Sequence, residues 1–325
     1  MRAIRISEWG GPEVLDLVED APVPEPDDHH VLVRVNRAGV NFADTHAREN
    51  TYLARYELPL IPGAEIAGVV ERDGAGLEAG QRVVSLVGTG GYAEFAAAPA
   101  ATTFPVPDGV DDATALALLL QGLTAWHLYR TCARLGPGES VVVHAAAGGV
   151  GTLAVQLGKR FGAGRVIATA STEDKRALAL ELGADAAVDV RRDDLADALV
   201  EANLGERVDV VLEMAGGRVF DASLAALAPF GRLVTYGIAS REQNEVATGA
   251  LMRTSRAVVG FWLMHCLRRP AEMVDAPLQE LFDLAAAGDL RVVAGESYGL
   301  SEVRRAHMDL QARRTSGKLL LDPSR

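Results

Sequence analysis

The stretch His144–Gln156, "HAAAGGVGTLAVQ", follows the apolar run "SVVV" and continues into apolar residues at helical spacing. A strand that ends in a tight turn and opens a helix presents free backbone N–H groups and the positive end of the helix dipole, which together hold a pyrophosphate. Ala145 stands where the first glycine of such a turn is expected. The pattern predicts a dinucleotide site, and the alternative is a glycine-rich helix start that only packs. The residues predicted to bind are Ala145, Gly148, Gly149, Val150 and Gly151.

Two of these glycines have separate expected roles. Gly148 would let the backbone approach the phosphates, and Gly151 would let the helix lie close to the strand. From Ser140 onward, β-branched runs alternate with helical patterns that end in glycine. This alternation predicts an α/β fold, with a doubly wound parallel sheet covered by helices on both faces. Residues 1 to about 110, with short alternating runs and many prolines and glycines, predict a β-rich domain.

Composition narrows the functional class. The 325 residues are 49% hydrophobic and 23% charged, which is typical of a globular chain of two domains. The formal charge of −12 disfavours a nucleic-acid partner. Apolar runs such as Ala113–Leu120 are too short to cross a bilayer, so no membrane span is expected. Two cysteines, Cys132 and Cys266, and a start without a signal peptide favour the cytoplasm.

The end of the second strand of this sheet indicates which dinucleotide binds. NAD-preferring sites place an acidic residue there, whereas a 2′-phosphate needs small polar and cationic residues. The chain has "ATASTEDKRA" at 168–177, which offers Ser171 and, one turn into the helix, Lys175 and Arg176. NADPH is therefore favoured over NADH. Ser171 is also expected to form a capping box with Asp174, and a cap and a phosphate ligand can coexist there.

Six motifs together resemble one known family. They are "RAGVNFADTHAR", "LPLIPGAEIAGVV", "LLLQGLTAWHLY", "VVVHAAAGGVGTLAVQLGK", "GFWL" and "RRTSGKLLL", and they extend over nearly the whole chain. In this order they resemble the zinc-independent quinone oxidoreductases, the zeta-crystallin-like group of the medium-chain dehydrogenase/reductase superfamily. The resemblance implies a GroES-like catalytic domain at 1–123 and 263–325, a Rossmann NADPH-binding domain at 124–262, and a homodimer joined through the last strands of the cofactor domains.

This chain differs from the zinc enzymes of the superfamily at the positions of their metal ligands. Catalytic zinc needs about three protein ligands, and a structural zinc site needs four. Asn41 stands where a zinc enzyme has its first Cys, and Gly63-Ala64-Glu65 replaces Gly-His-Glu. No metal is therefore expected, and the substrate should be a conjugated acceptor that needs no strong Lewis acid. The resemblance implies hydride transfer from NADPH to a quinone. An enone or enoyl reductase, and a non-catalytic NADPH-binding protein, remain as alternatives.

The resemblance also implies roles for particular residues. Asn41 and Thr124 would contact the nicotinamide ribose or its carboxamide, and Gln121 would face the substrate. The backbone of Phe261, Trp262 and Leu263 would face the carboxamide. Arg313 would reach the adenosine phosphate, with Arg314 and Lys318 as alternatives.

The chain also departs from the family at several positions. His46 replaces a tyrosine in a segment expected to be a loop, where it is either a proton donor or structural. Asn50 replaces a glycine, and Asn tolerates the left-handed conformation. Val190 stands where relatives have a tyrosine that packs on the adenosine phosphate, and Arg191 beside it is the substitute.

Overall fold

Fifteen strands form three sheets within residues 1–51 and 53–325, which the computed structural model describes. Their bounds are β1 Ala3–Arg5, β2 Asp16–Val18, β3 His30–Val40, β4 Glu65–Val70, β5 Arg82–Leu86, β6 Phe95–Pro99, β7 Thr103–Pro105, β8 Ser140–Val143, β9 Arg165–Ala170, β10 Ala186–Asp189, β11 Val208–Glu213, β12 Leu227–Thr235, β13 Ala257–Gly260, β14 Ala294–Gly299 and β15 Lys318–Asp322.

Eleven α-helices lie in the same described ranges. They are α1 Phe42–Glu49, α2 Asp112–Leu116, α3 Leu123–His127, α4 Gly149–Arg160, α5 Glu173–Glu181, α6 Leu195–Ala202, α7 Gly217–Ala226, α8 Thr248–Thr254, α9 Pro270–Met273, α10 Asp275–Ala286 and α11 Val303–Gln311. Two π-helical segments, Ala117–Gly122 and Leu128–Ala133, flank α3, and Leu263–Arg268 forms a 3-10 helix. Three shorter 3-10 turns are Pro12–Val14, Ala100–Thr102 and Leu300–Glu302.

The chain divides into two compact units. The first comprises residues 1–120 with 267–325, and the second comprises residues 121–266. In the first unit, antiparallel pairing joins β3 to β4, β6 and β15, so the N-terminal and C-terminal parts of the chain share one sheet. Its core is built from alternating buried residues of these strands, such as Val31, Val33 and Val35. Each fully buried aliphatic side chain contributes about 1.5–3 kcal/mol.

The second unit contains the predicted parallel sheet. Its strand order is β10-β9-β8-β11-β12-β13, and every neighbouring pair is parallel. The order reverses between β8 and β11, and ligands of such sheets bind at this switch point, outside the carboxyl ends of the strands. β8 is buried at all four positions, as expected for a central strand covered on both faces. The prediction of an α/β fold with this sheet is confirmed.

Candidate functional site

The glycine-rich turn lies at the carboxyl end of β8, at the switch point of the sheet. Gly148 is the N-cap of α4, and Gly149, Val150 and Gly151 form its first turn. The N–H groups of a first helical turn have no partners within the helix, and here they lie at a half-buried helix start. The turn therefore offers backbone donors and a helix dipole to an anion.

Steric contacts explain two glycines of this turn. A Cβ on Gly151 would lie 2.2 Å from the carbonyl oxygen of Ala145, so only glycine lets the helix approach the turn this closely. A Cβ on Gly149 would lie 2.2 Å from the carboxamide atoms of Gln121. Gln121, which is 7% exposed, thus packs against the first residue of α4. The structure places this side chain beside the phosphate-type turn, and its role toward substrate stays a prediction.

The helix after β9 begins one residue later than the sequence suggested. Thr172, not Ser171, is the N-cap of α5, and its hydroxyl accepts a hydrogen bond from the N–H of Lys175 at 3.4 Å. The expected capping box of Ser171 with Asp174 is therefore wrong. Serine and threonine are both good N-cap residues, so the pair "ST" is compatible with a helix that begins after either residue. Ser171 follows the last residue of β9 directly, at the carboxyl edge of the sheet.

Cationic side chains gather at the ends of β9 and β10. The guanidinium of Arg191 binds both carboxylate oxygens of Asp189, with Nε–Oδ1 at 3.0 Å and a second N–O distance of 2.7 Å. Arg176 approaches the same carboxylate at 3.3 Å. Hydrogen bonds from Arg191 hold the pKa of Asp189 well below its ordinary value. Two arginines therefore share one carboxylate at this edge of the sheet.

The segment after β13 contains the residues predicted to face the nicotinamide carboxamide. β13 ends at Gly260, so Phe261 and Trp262 lie beyond it, and Leu263 opens the 3-10 helix. The Phe261 N–H still donates to the Thr235 carbonyl at 2.9 Å, which fixes the backbone at the carboxyl edge. Phe261 and Trp262 therefore follow β13 rather than extend it.

The helix that carries Thr124 contacts this segment through His127. The His127 ring, one turn along α3, stacks on Phe261 with centroids 5.7 Å apart. Thr124 is buried and is the second residue of α3. The second unit therefore brings Thr124 and Phe261 onto neighbouring elements.

In the first unit, Asn41 is held by two charged groups. It is the N-cap of α1, directly after β3. Its Nδ2 donates to Glu65 Oε1 at 2.6 Å, and its Oδ1 accepts from Lys318 Nζ at 3.1 Å. Lys318 also forms an ion pair with Glu65. Both charged side chains are almost fully buried, at 1% and 0% exposed.

The Lys318–Glu65 pair corrects one prediction. Lys318 is expected either to be an alternative to Arg313 at the adenosine phosphate or to lie on a solvated basic face, but its ammonium is buried between Glu65 and Asn41. Gly39 makes room for the pair, because a Cβ there would lie 2.3 Å from Glu65 Oε1 and 2.7 Å from Lys318 Nζ. Arg314, the other alternative, pairs with Asp309 at 3.1 Å. Arg313 lies just after α11 with a backbone φ of 57°.

A buried carboxylate holds the backbone of Asn41. Asp44 Oδ2 accepts the Asn41 N–H at 2.8 Å and the Tyr92 hydroxyl at 2.9 Å. Burial raises the pKa of Asp44 to about 6, while these two hydrogen bonds act in the opposite direction. Near neutral pH this carboxylate is therefore close to its titration range.

His46 lies in a helix rather than in the expected loop. It belongs to α1, is 5% exposed, and its ring centroid lies 5.7 Å from that of Phe42. Asn50 ends this helix with φ 53° and ψ 37°, so asparagine takes the left-handed conformation as predicted. The proton-donor role of His46 stays a prediction.

His144, at the end of β8, has the environment of a structural histidine. Its two ring nitrogens lie 2.8 Å from Thr169 Oγ1 and 2.7 Å from Ser223 Oγ. Burial lowers its pKa to about 4. Within residues 1–51 and 53–325, no group of three or more His, Cys, Asp or Glu side chains could hold a metal ion. No helix in these residues is both long and apolar enough to span a bilayer.

Sequence reasoning missed the partners of Asn41. Lys318 and Asn41 are 277 residues apart, and only the pairing of β15 with β3 brings them together. One signal was present in the sequence. Glu65 is the single charged residue of the strand "EIAGVV", and Lys318 stands directly before three leucines in "KLLLD". A buried charge is expected to have a partner of opposite sign.

Two family models match the chain in the order of its units. Residues 27–108 match the alcohol dehydrogenase GroES-like domain, and residues 149–280 match the zinc-binding dehydrogenase family. Curated relatives include the quinone oxidoreductases of Pseudomonas aeruginosa, at 35% identity over 99% of both chains, and of Homo sapiens, at 34% identity over 99% of this chain and 97% of the relative.

Solved structures extend the comparison to three dimensions. Escherichia coli quinone oxidoreductase complexed with NADPH superposes with a TM-score of 0.91 at 33% identity, covering 99% of this chain and 100% of the other. A mycobacterial protein, also complexed with NADPH, has a TM-score of 0.93 at 39% identity over 99% and 100%. Sequence identity of 33–39% over whole chains indicates common family membership as well as a common fold. The protein is an oxidoreductase that belongs to the quinone oxidoreductase family of the medium-chain dehydrogenase/reductase superfamily.

Proposed function

We propose that this protein is a zinc-independent, NADPH-dependent oxidoreductase that transfers hydride from NADPH to a quinone. The observation that carries the proposal is the glycine-rich turn, where Gly148 and the first turn of α4 face the switch point of a parallel sheet. Relatives solved with NADPH support the choice of cofactor. Bound NADPH supplies a hydride from its nicotinamide ring.

The residues present fit each part of this cofactor. The absence of a Cβ at Gly148 leaves the backbone of the turn accessible to the pyrophosphate, and Gly151 lets α4 lie close to the turn. At the ends of β9 and β10, Ser171, Lys175 and Arg191 are proposed to hold the 2′-phosphate. Charge-assisted hydrogen bonds from such groups favour a phosphate over a ribose hydroxyl.

The nicotinamide end needs orientation more than charge. We assign this role to Thr124, to the backbone of Phe261–Leu263 and to Asn41. Gln121 is proposed to face the acceptor, and His46 to donate a proton to the developing hydroquinone oxygen. Arg313 is proposed to contact the adenosine phosphate.

Residues at the position of the superfamily's metal support zinc independence. The carboxamide of Asn41 and the carboxylate of Glu65 are both bound to the Lys318 ammonium. A cation bound there would have to displace this buried ammonium. A quinone suits such a site, because its conjugated system spreads the incoming charge without a Lewis acid.

The two units are proposed to bind different molecules, one the substrate and the other the cofactor. Residues 1–123 and 263–325 form the GroES-like substrate domain, and residues 124–262 form the cofactor domain. We also propose a cytoplasmic homodimer. In the described residues β13 pairs only with β12, so its other edge has unpaired backbone groups that a second copy can bind.

The acceptor profile tests this function. Initial rates of NADPH oxidation are measured with a simple benzoquinone and with a conjugated enone at equal concentrations. A faster rate with the benzoquinone supports the proposal. A faster rate with the enone identifies an enone reductase, and NADPH binding without oxidation by either acceptor identifies a binding protein.

A further inference from the structure

A run of buried polar side chains leads from Asn41 into the C-terminal helix of the first unit. Asp44, Tyr92, His307 and Arg48 are between 0% and 3% exposed. The Tyr92 hydroxyl lies 2.9 Å from Asp44 Oδ2 and 3.3 Å from His307 Nε2. Arg48 lies 3.2 Å from His307 Nδ1. The proposed function uses none of these four residues.

The chemistry of the groups fixes the direction of these hydrogen bonds. A guanidinium only donates, so His307 Nδ1 accepts from Arg48 and its Nε2 carries the proton. Nε2–H therefore donates to the oxygen of Tyr92, and the Tyr92 hydroxyl donates to Asp44. Burial, with a smaller contribution from Arg48, lowers the pKa of His307 to about 3, so this ring stays neutral. The hydrogen bonds therefore all point in one direction, from Arg48 through His307 and Tyr92 to the carboxylate of Asp44.

Asp44 Oδ2 accepts a second hydrogen bond, from the N–H of Asn41. Burying a carboxylate is unfavourable unless hydrogen bonds compensate, and both Tyr92 and Asn41 supply such bonds here. The side chain of Asn41 is fixed separately by Glu65 and Lys318. Both the backbone and the carboxamide of this one residue are thus held by buried charge.

We propose that Asp44, kept ionised by Tyr92, is a positioning residue that orients Asn41 toward the nicotinamide end of the cofactor. This role rests on the proposed function, in which Asn41 contacts that end. His307 and Arg48 support this positioning role indirectly, because they fix the hydroxyl of Tyr92. Protonation of Asp44 removes the charged acceptor of the Asn41 N–H and releases the start of α1.

The titratable and charged groups around this carboxylate lie on its own helix, interact with it, or interact with its partner Tyr92. They come from α1 itself, from β4, from the segments before β4 and β6, from α11 and from β15, and they are His46, Arg48, Glu65, Tyr56, Tyr92, His307 and Lys318. Burial raises the pKa of Tyr92 well above its ordinary value, so the phenol keeps its proton throughout the neutral range.

The pH dependence follows from the signs of these effects. Burial raises the pKa of Asp44 to about 6, and the hydrogen bond from Tyr92 lowers it. Removal of the Tyr92 hydroxyl therefore raises this pKa further. Cofactor binding should weaken as the pH falls through about 6 in the wild type, and at a higher pH in Tyr92→Phe.

Calorimetric titration with NADP⁺ from pH 5 to pH 8 measures this difference. The matched control is Tyr298→Phe, because Tyr298 is also fully buried and its hydroxyl donates to Glu296 and Asp309 at 3.0 and 3.2 Å. Titration of the cofactor's own 2′-phosphate is common to all proteins, so only differences between them count. Asp44→Asn, which has the same shape and no charge, serves as the second variant.

The proposal predicts that the acid weakening of binding moves upward by roughly half a pH unit or more in Tyr92→Phe and stays in place in Tyr298→Phe. Asp44→Asn should bind NADP⁺ about tenfold more weakly than the wild type at pH 8. Identical pH profiles in all proteins would overturn the positioning role and leave the proposed function intact. Failure of the wild type to bind NADP⁺ at any pH would overturn the proposed function, and this role with it.

Discussion

Ala145 has a backbone φ of 49° in the turn that opens α4. This is the left-handed region, which costs an L-residue with a Cβ roughly 1–2 kcal/mol and costs glycine almost nothing. The sequence shows that alanine replaces the first glycine of the turn, and the structure shows that the backbone keeps a conformation suited to glycine. The turn has therefore kept its geometry at the expense of local strain.

Ala145→Gly should relieve this strain. We expect the free energy of unfolding to rise by roughly 0.5–1 kcal/mol, because the relief exceeds the added flexibility of the unfolded chain. Urea unfolding followed by circular dichroism measures the change. The same substitution at exposed Ala177 within α5 is the control, and it should lower stability by about 1 kcal/mol. A loss of stability in both variants would contradict the strain at Ala145.

At the scale of elements, local sequence patterns predict the structure where the contacting residues are close in sequence. The run from β8 into α4 and the alternation of the parallel sheet could be predicted because strand and helix periods are local properties. The start of α5 was misplaced by one residue, because Ser171 and Thr172 are both good caps. The partners of Asn41 could not be predicted, because they depend on the pairing of β3 with β4 and β15.

The cationic residues after β9 and β10 are expected to determine the preference for NADPH over NADH. Lys175→Ala and Arg191→Ala should each lower the preference for NADPH over NADH, by about tenfold for the loss of one phosphate contact worth about 1.4 kcal/mol. The ratio of kcat/KM for the two cofactors measures this preference. An unchanged ratio in both variants would contradict this assignment and leave Arg176 as the cationic contact.

A neighbouring ion pair supplies the control for this prediction. Arg192 binds Asp194 at 2.6 Å, two residues away, as Arg191 binds Asp189. Arg192→Ala should leave the cofactor ratio unchanged. Equal losses in Arg191→Ala and Arg192→Ala would indicate a general effect of surface charge rather than a specific contact.

For the whole molecule, the edge of the parallel sheet predicts the state of assembly. Phe230 and Met252 are 79% and 78% exposed, and the Phe230 N–H donates to the Ser255 carbonyl, just before β13. α8, which precedes β13, has no buried residue. Large apolar side chains beside an open strand edge are typical of a protein interface.

Phe230→Asp should shift the proposed dimer to monomer, because a charge would be buried in the interface. Light scattering on a sizing column gives the mass directly. Leu180 is 47% exposed on α5, which packs on β9 and β10 at the opposite edge of the same sheet, so Leu180→Asp is the control and should remain dimeric. A wild-type protein that elutes as a monomer would contradict the assembly.

The central claim is hydride transfer from NADPH to a quinone without a metal. The most direct measurement is the initial rate of NADPH oxidation by a benzoquinone after exhaustive dialysis against a chelator, with NADH assayed alongside. The account predicts an undiminished rate and a preference for NADPH. Loss of the rate on chelation with recovery on adding zinc, or a preference for NADH, would contradict it.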